Sequence, residues 1–380
     1  MKPHSPRPAV VIIAGETSGD LHGARLVNAM RARNDDLSFY GVGGPALRQA
    51  GVRILVDAAQ LSVVGLTEVV AKLPAILNGL KTVKRLLKSL KPDLLILIDF
   101  PDFNLNVAST ARKLGIRVLY YISPQIWAWR PGRVKRIAKL VDHMAVILPF
   151  EADFYKKHQV PVTFVGHPLL DDYLPPQSEA CKDRDAERPV IGLLPGSRES
   201  EIARHVPVML DTVKIIRSTL KHAKFVISHA PSVQRQGLEK LLLDHAHHID
   251  VEIISGPVED VLKRCNLVVA ASGTVTLQAA LHGIPMVIIY KVSPLSFWFG
   301  RALVRVNHIG LVNLIAGNEI VPELVQYQAS AANIANAVSE ILTDSGKRQR
   351  MRQELVDVRD LLGAPGASER VADIALRMLN

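Results

Sequence analysis

The sequence predicts an α/β fold built from two Rossmann-like domains, each a parallel sheet with helices on both faces. Short apolar runs alternate with longer helical patterns along the whole chain. The runs are continuously apolar, which is typical of parallel strands that are covered on both sides. The chain has 380 residues, of which 48% are hydrophobic. That length and composition are enough for two hydrophobic cores.

Eight apolar runs are the predicted strands. They cover residues 9–14, 94–98, 118–122, 144–148, 190–194, 225–228, 267–270 and 286–290. In each half the first strand is followed by a glycine-containing loop and a helix, as in nucleotide-binding folds. The proline-rich and charged segment 159–189 interrupts this alternation, so we predict the interdomain linker there.

The positive charge is concentrated in the first half of the chain. Residues 1–170 hold 23 Lys/Arg and 12 Asp/Glu, a net charge of +11, whereas residues 171–380 hold 23 and 24, a net charge of −1. This asymmetry is typical of a surface that meets nucleic acid or an anionic membrane, and a basic soluble surface is the alternative. No run reaches the roughly 18 apolar residues that a membrane-spanning helix needs. The two cysteines, Cys181 and Cys265, are far apart in the sequence, and this favours a reducing cytoplasmic compartment.

The loop after the first predicted strand reads GETSGD at positions 15–20. Its glycines let backbone amides approach a ligand, and the N-terminus of the following helix favours negative charge. The acidic side chains could instead offer oxygens to sugar hydroxyls, and a tight turn capped by Ser18 or Asp20 is the structural alternative. The candidate ligand-binding residues are Gly15, Glu16, Ser18, Gly19 and Asp20.

Asp99 directly follows the predicted strand 94–98, within the sequence IDFPDFN. The carboxyl ends of parallel strands are where α/β folds build their sites, and a partly buried carboxylate has the raised basicity of a general base. Asp102 fits this position equally well. Two aspartates that cap the turn around Pro101 are the structural alternative.

Apolar and cationic residues occur together in three segments, two of which contain aromatic residues. Trp127 and Trp129 precede five cations at positions 130–139, Phe297, Trp298 and Phe299 lie among further cations, and a basic amphipathic helix is predicted at 69–91. Indole rings favour the headgroup zone of a bilayer and cations attract anionic lipid, so we expect a membrane-facing surface. Stacking on single-stranded nucleic acid, or core packing with a solvated basic face, would use similar residues.

Two turns in the second half are candidates for a nucleotide site. A guanidinium suits a phosphate, and amides and hydroxyls at a helix N-terminus suit a diphosphate without a metal ion. Each turn could be purely structural, but two in one domain favour nucleotide binding. Their residues are Gly196, Ser197 and Arg198 in LLPGSR, and Ser272, Gly273 and Thr274 in ASGT.

The histidines at positions 245, 247 and 248 have no common metal-ligand spacing. We interpret them as a solvated helix end, and no metal site is predicted.

Six motifs occur in order along nearly the whole chain: GETSGD, IDFPDFN, SPQIWAWR, LLPGSR, SGT and VNLIAG. Together they resemble the lipid-A-disaccharide synthase family, which has the GT-B fold. SPQIWAWR and IDFPDFN are specific signals, whereas SGT and PGSR are shared with other GT-B glycosyltransferases. The resemblance implies an inverting transfer of 2,3-diacylglucosamine from UDP to 2,3-diacylglucosamine 1-phosphate. The products would be a β-1,6-linked disaccharide and UDP, with no cofactor and no metal.

The resemblance also implies residue roles. Asp99 becomes the leading candidate for the base that deprotonates the acceptor 6-hydroxyl, and the GETSGD loop would contact the acceptor. Arg198 and the turn 272–274 would stabilise the departing diphosphate, and Asn313 would order the donor site. Gln278 stands where related GT-B enzymes carry an acidic residue that holds the ribose hydroxyls, so a weaker amide contact is expected. The segment 366–370 departs from the family pattern and supplies no site residue.

The expected organisation follows from these roles. Residues 1–168 would form the acceptor-binding, membrane-facing domain, residues 169–345 the UDP-sugar-binding domain, and residues 346–380 terminal helices that pack back on the first domain. The expected partners are the two lipid substrates and the anionic inner-membrane surface, approached from the cytoplasm, with a homodimer left open and no nucleic acid. The rival enzymes are a UDP-N-acetylglucosamine 2-epimerase or a peptidoglycan-type transferase, and a nucleic-acid-binding module is the rival from another class.

Overall fold

The computed structural model describes residues 7–61, 66–173, 188–245, 250–293, 297 and 306–380, without the side chains of 66–72. The chain divides into two compact units, Met1–Asp172 with Leu362–Asn380, and Tyr173–Leu361. Each unit contains one parallel sheet, which confirms the predicted α/β class with two Rossmann-like domains. Within the described ranges no helix combines the length and the apolar composition that crossing a bilayer requires.

The strands of the first unit are β1 (Ala9–Ala14), β2 (Ser38–Gly43), β3 (Arg53–Asp57), β4 (Leu94–Ile98), β5 (Arg117–Tyr121), β6 (His143–Val146) and β7 (Val162–Phe164). They form a sheet in the order β3-β2-β1-β4-β5-β6-β7. The order reverses between β1 and β4, which pair from Val10 with Leu94 to Ala14 with Ile98. The loops after these two strands therefore leave the sheet side by side, where doubly wound folds bind their ligands.

The helices around this sheet explain why its central strands are continuously apolar. They are α1 (Thr17–Arg33), α2 (Pro45–Gln49), α3 (Leu66–Leu90), α4 (Pro101–Lys113), α5 (Ile126–Trp129), α6 (Val134–Leu140), α7 (Pro149–Lys157) and α8 (Leu169–Asp172). Val11 and Ile13 pack into the core on one face of the sheet, and Val10 and Ile12 into the core on the other. Because both faces are covered, each residue of such a strand must be apolar.

The second unit repeats this arrangement with β8 (Val190–Leu194), β9 (Lys224–His229), β10 (Glu252–Ser255), β11 (Leu267–Ala271), β12 (Met286–Tyr290) and β13 (Glu323–Val325). The sheet order is β10-β9-β8-β11-β12-β13. Here the reversal lies between β8 and β11, which pair from Ile191 with Leu267 to Leu194 with Ala270. The LLPGSR and ASGT loops follow these two strands, so both leave the sheet where its strand order reverses. We call this place the switch point of a sheet, and in the first sheet it lies between β1 and β4.

The helices that follow are α9 (Glu199–Thr219), α10 (Arg235–His245), α11 (Val258–Leu262), α12 (Thr274–Leu281), α13 (Leu311–Ala316), α14 (Ala331–Thr343), α15 (Ser345–Leu361) and α16 (Ala367–Leu379). The last two helices belong to different units. Helix α15 packs against α12, α13 and α14 in the second unit, whereas α16 packs against α1 in the first. Asp171 anchors α16 by accepting hydrogen bonds from the backbone N–H groups of Gly366 (2.7 Å) and Ala367 (3.2 Å).

These unit boundaries differ from the predicted ones. Of the terminal segment 346–380, only the part from Leu362 onward belongs to the first unit. The predicted linker 159–189 also starts too early, because Val162–Phe164 form β7 at the edge of the first sheet. That strand has three residues and no fully buried position, so it lacks an apolar run. Residues 174–187 lie outside the described residues, and the functions assigned to the domains stay predictions.

Candidate functional site

The switch point of the first sheet holds a strained turn. Asp99 and Phe100 follow β4 with φ angles of 43° and 45°, left-handed values that cost energy in residues other than glycine. The Asp99 carbonyl accepts hydrogen bonds from the Asn104 side-chain amide (2.6 Å) and from the Tyr120 hydroxyl (2.5 Å). The neighbouring loop approaches so closely that a Cβ atom on Gly15 would collide with the Phe100 ring. The fold thus holds Asp99 in one conformation beside the GETSGD loop.

The Asp99 carboxyl has the electrostatics of a base. The residue is half-buried. Burial is the main cause that raises its pKa from 3.8 to about 6, the negative charge of Glu16 raises it further, and a hydrogen bond from the Phe100 backbone opposes the shift. At neutral pH this carboxylate is mostly ionised, yet it holds a proton more firmly than an exposed aspartate does.

Asp102, the second candidate base, has different surroundings. Its side chain is 74% exposed, and its Oδ1 pairs with Arg133 Nη2 at 2.7 Å in the first turn of α4. Its contact with Arg133 occupies the carboxylate that would have to contact a substrate hydroxyl. The surroundings therefore favour Asp99.

Asp20 has a structural role in place of the predicted contact with the acceptor. The residue is 4% exposed. Its Oδ1 accepts hydrogen bonds from the backbone N–H groups of Gly44 (2.6 Å) and Leu47 (3.2 Å), and its Oδ2 accepts one from Ala46 (2.9 Å). The carboxylate thus caps α2 and is fully used there.

The other GETSGD residues divide into packed and exposed positions. Gly19 is buried, and a Cβ atom on it would lie in ordinary contact with the Ala14 Cβ (3.4 Å) and the Ile98 Cγ2 (3.5 Å), so this position packs against the ends of β1 and β4. Glu16 and Ser18 are exposed. Thr17 between them is exposed as well, so the side chains of residues 16–18 are accessible to a ligand.

The two tryptophans of SPQIWAWR have different environments. The Trp127 indole N–H donates to Glu151 Oε1 at 3.0 Å, and its ring packs edge-on against Phe150 with centroids 4.8 Å apart. Glu151 is fully buried, and burial raises its pKa to about 7. Trp129 is 37% exposed, and the Arg130 guanidinium carbon lies 4.3 Å from its ring centroid. Trp127 is therefore tied to the protein interior, and Trp129 is the one with an accessible ring.

Several predicted residues lie at or beyond the described ranges. Phe297 is half-buried and its ring centroid is 6.5 Å from that of Tyr327, whereas Trp298 and Phe299 lie outside the described residues. His247 and His248 also lie outside them. Across the part of the chain that is described, no group of three His, Cys, Asp or Glu side chains could hold a metal ion.

In the second unit, Glu201 organises the LLPGSR loop. Its Oε2 accepts a hydrogen bond from the backbone N–H of Ser197 (2.9 Å), and its Oε1 pairs with Arg198 Nη1 (3.0 Å). Gly196 has a φ of 118°, and a Cβ atom on it would collide with Glu201. Since the Arg198 side chain is 62% exposed, its guanidinium can turn from this carboxylate toward an incoming phosphate.

His205 also positions this loop, and the sequence analysis missed it. Its Nε2 accepts a hydrogen bond from the backbone N–H of Lys291 (3.0 Å), so its Nδ1 carries the proton and donates to the Pro195 carbonyl (2.8 Å). Burial lowers its pKa, which favours the neutral ring. A single histidine on the buried face of an amphipathic helix gives no signal of this role in the sequence.

The ASGT turn leaves open space at the start of α12. Ser272 Oγ donates to the Ile309 carbonyl at 3.1 Å, and Thr274 is exposed as the first residue of the helix. Among the described residues, apart from its chain neighbours, no heavy atom lies within 4 Å of the position that a Cβ on Gly273 would take. An anion could therefore approach the free N–H groups of this helix N-terminus.

Asn313 acts within the protein framework. It is fully buried, its Nδ2 donates to the Val321 carbonyl (2.8 Å) and to Glu323 (2.7 Å), and its Oδ1 accepts from Ile320 (2.9 Å) and Val321 (3.1 Å). Glu323, which the sequence analysis missed, also accepts hydrogen bonds from Ile309 (2.7 Å) and Gly310 (3.0 Å). Asn313 can thus order the backbone next to Ser272, but its own amide is fully used.

Gln278 is bonded to a carboxylate from another helix. Its Nε2 donates to Glu259 Oε1 at 2.9 Å. Gln278 stands where an acidic residue was expected in related enzymes. A carboxylate is nevertheless within hydrogen-bond distance of it, supplied by Glu259 of α11.

Solved structures with the same fold include several that act on nucleotide sugars. A UDP-GlcNAc 2-epimerase from Neisseria meningitidis, bound to UDP-GlcNAc, superposes with a TM-score of 0.65, covering 97% of this chain and 100% of the other at 12% identity. The glycotransferase of kitacinnamycin superposes with a TM-score of 0.63, covering 99% and 100% at 16% identity. At this low identity the likeness establishes the GT-B fold alone.

Sequence relatives are much closer. A lipid-A-disaccharide synthase of Geobacter metallireducens is 48% identical over 99% of this chain and 98% of its own length. One from Coxiella burnetii is 41% identical over 98% of each chain. The sequence profile of the LpxB family, described as lipid-A-disaccharide synthetase, matches residues 10–376. The chain therefore belongs to the lipid-A-disaccharide synthase family.

Proposed function

We propose that this chain transfers 2,3-diacylglucosamine from UDP to the 6-hydroxyl of 2,3-diacylglucosamine 1-phosphate and so forms the β-1,6-linked disaccharide. As a member of its family it is a glycosyltransferase of lipid A biosynthesis. The observation that carries the proposed chemistry is Asp99, a half-buried carboxyl with a pKa of about 6 at the switch point of the first sheet. The ASGT turn at the switch point of the second sheet, with the open N-terminus of α12, supports a proposed site for the diphosphate.

In the proposed reaction Asp99 accepts the proton of the acceptor hydroxyl. The acceptor oxygen then forms a bond to the anomeric carbon of the donor, the bond from that carbon to the UDP oxygen breaks, and the configuration inverts. A base is most effective when its pKa lies near the operating pH and the group is still largely ionised. A pKa of about 6 meets both conditions at neutral pH.

The second unit would stabilise the charge that develops on the departing diphosphate. The N-terminus of α12 offers backbone N–H groups at Gly273 and Thr274, where the helix dipole favours an anion. Arg198 supplies a guanidinium after it leaves Glu201, with which it pairs at 3.0 Å. Fixed donors aimed at developing charge are usually the largest electrostatic contribution to such a reaction.

The direct test is turnover. Purified protein is incubated with UDP-diacylglucosamine and diacylglucosamine 1-phosphate, and the released UDP and the lipid product are measured together. We expect UDP release that depends on both substrates, with one disaccharide formed for each UDP. Release of UDP without disaccharide would indicate an epimerase or hydrolase, and tight RNA binding without turnover would support the nucleic-acid alternative.

We also propose that the first unit lies on an anionic membrane surface. Leu73 and Leu77 on α3 are each 48% exposed, and Lys81 and Arg85 follow them on the same helix as exposed cations. Trp129 adds an accessible aromatic ring. Apolar side chains flanked by cations favour the interface of an anionic bilayer.

The membrane proposal is tested by sedimentation with vesicles of phosphatidylglycerol and phosphatidylcholine. The double change Leu73→Ser and Leu77→Ser should lower the partition coefficient by about thirtyfold, because partly exposed leucines contribute roughly 1 kcal/mol each on insertion. The matched control is Leu243→Ser, a leucine in the second unit that is 73% exposed. Equal sedimentation of all three proteins would remove α3 from the proposed surface.

A further inference from the structure

Glu259 and Gln278 form a pair next to the ASGT turn. Besides the bond from Gln278 Nε2 to Glu259 Oε1 at 2.9 Å, both residues are half-buried and therefore reachable from solvent. Glu259 lies in the first turn of α11, which begins after β10, and Gln278 lies in α12, which begins after β11. Both helices start at the carboxyl ends of parallel strands, so the pair lies at the same edge of the sheet as the proposed phosphate site.

The pair keeps unused capacity to accept hydrogen bonds. An amide side chain has a carbonyl oxygen besides its NH2 group, and a carboxylate has a second oxygen. Over the described ranges, no donor bonds to the Gln278 Oε1 or to the Glu259 Oε2. Two acceptor oxygens thus lie close together, which suits a ligand that carries two neighbouring hydroxyl groups.

The position of Gln278 on α12 indicates which hydroxyls these are. It is four residues after Thr274, so both residues lie on the same face of the helix, one turn apart. A diphosphate at the helix N-terminus would bring the sugar attached to it to the next turn. The diphosphate of the proposed donor carries two sugars, and of these only the ribose has neighbouring free hydroxyls, at 2′ and 3′, because the glucosamine is acylated at positions 2 and 3.

We propose that Glu259 and Gln278 together bind the ribose diol of the donor nucleotide, with the carboxylate supplied by α11. Gln278 holds Glu259 in place through its NH2 group and accepts one hydroxyl, while Glu259 accepts the other. A hydrogen bond to a carboxylate is about twice as strong as one to a neutral amide, so Glu259 provides most of the recognition. This assignment rests on the proposed UDP-sugar donor.

The first experiment compares the affinities for UDP, 2′-deoxy-UDP and 3′-deoxy-UDP by calorimetry. The protein should bind UDP about tenfold more tightly than at least one deoxy analogue, because a site built for a hydroxyl loses a bond when it is missing. Glu259→Gln should weaken UDP binding about tenfold. Its affinity for that deoxy analogue should stay within about twofold of the affinity of the unchanged protein. This variant keeps the size of the side chain and still accepts a bond from Gln278. The matched control Glu239→Gln, an exposed residue of α10 paired with Arg235, should change none of the three affinities.

The second experiment exchanges the two groups. Gln278→Glu alone puts two carboxylates at about 3 Å, and their repulsion should weaken UDP binding about tenfold. The double variant Glu259→Gln with Gln278→Glu restores an amide–carboxylate pair with reversed polarity. It should recover most of the preference for UDP over the deoxy analogue, a rescue that a purely structural role would not give.

Two outcomes would overturn the assignment while leaving the proposed function intact. One is turnover with UDP-diacylglucosamine together with equal binding of UDP and both deoxy analogues. The other is a Glu259→Gln variant in which UDP and the analogues weaken by the same factor, since the residue would then act on the phosphates or the fold. Absence of any UDP binding or turnover would instead overturn both proposals.

Discussion

The switch points of the two sheets have the same topology but opposite chemistry. In the first unit the reversal between β1 and β4 is lined by the carboxylates of Glu16 and Asp99, and burial with like charge raises the pKa of Asp99 to about 6. In the second unit the reversal between β8 and β11 presents a helix N-terminus and the exposed guanidinium of Arg198. The fold provides the location twice, and the side chains place a half-buried carboxyl at one and an exposed cation at the other, which we propose as the proton acceptor and the anion site.

The largest expected effect comes from Asp99→Asn, which removes the proton acceptor and keeps the shape. We expect kcat to fall by about 10²–10⁴, the usual contribution of a general base, with the dissociation constant for UDP changed less than about twofold. Steady-state turnover and UDP calorimetry provide the two measurements. Asp102→Asn is the control and should retain activity within a few-fold, because this carboxylate is exposed and paired with Arg133. Loss of UDP binding in Asp99→Asn would make the residue structural.

The next effect concerns the anion site. Arg198→Ala removes a cation from the proposed diphosphate site, so kcat should fall by about 10²–10³ and UDP binding should weaken as well. Arg198→Lys should recover only part of this loss, since lysine cannot form a two-pronged contact. Arg204→Ala is the matched control on the same helix, where the guanidinium donates to the Ser200 carbonyl at 2.8 Å. An Arg204→Ala protein that loses as much activity would contradict a specific role for Arg198.

A smaller effect tests whether Asp20, near the first switch point, has a structural role, in contrast to Asp99, the proposed base. Asp20→Ala leaves three backbone N–H groups of the α2 cap without their acceptor. The free energy of unfolding should fall by about 2–4 kcal/mol, measured by urea denaturation. Asp57→Ala is the control, because that side chain is more exposed and caps a single turn; it should cost less than about 1 kcal/mol. Similar losses in both variants would mean that Asp20 is not a special cap.

The central parts of the fold were predictable because they are buried on both faces. Strands such as β1 and β4 must be continuously apolar, and the loops after them therefore marked the switch points in the sequence. The strands missed were β2, β3, β7, β10 and β13. Short or partly exposed strands do not need an unbroken apolar run. Arg53 and Glu252 illustrate this, since both are exposed strand residues at sheet edges.

Residue roles were predictable where chain position decides them and not where long-range contacts do. Asp99 directly follows β4 and Arg198 lies in the loop after β8, so the sequence indicated both as candidates, whose roles stay predictions. The cap made by Asp20 depends on a loop that begins 24 residues later in the chain. The Glu259–Gln278 pair joins residues 19 positions apart on two helices. No local pattern reports such contacts, because they form only when the sheet brings the loops together.

The smallest effect tests the electrostatic coupling within the first switch point. The negative charge of Glu16 raises the pKa of Asp99, second only to burial. With Asp99 as the proposed base, turnover needs its ionised carboxylate, so kcat/KM should fall about tenfold per pH unit below about pH 6. Glu16→Gln removes the repulsion that disfavours ionisation, so the acidic limb should move to lower pH, by less than the shift that burial causes. Asp102→Asn should leave the limb unchanged, since the shift of the Asp99 pKa comes from burial, Glu16 and the Phe100 backbone. If the acidic limb of Glu16→Gln stayed in place or moved to higher pH, the charge of Glu16 would not contribute to the basicity of Asp99. The contrast between the two switch points would then depend on the burial of Asp99 and not on its proximity to a second carboxylate.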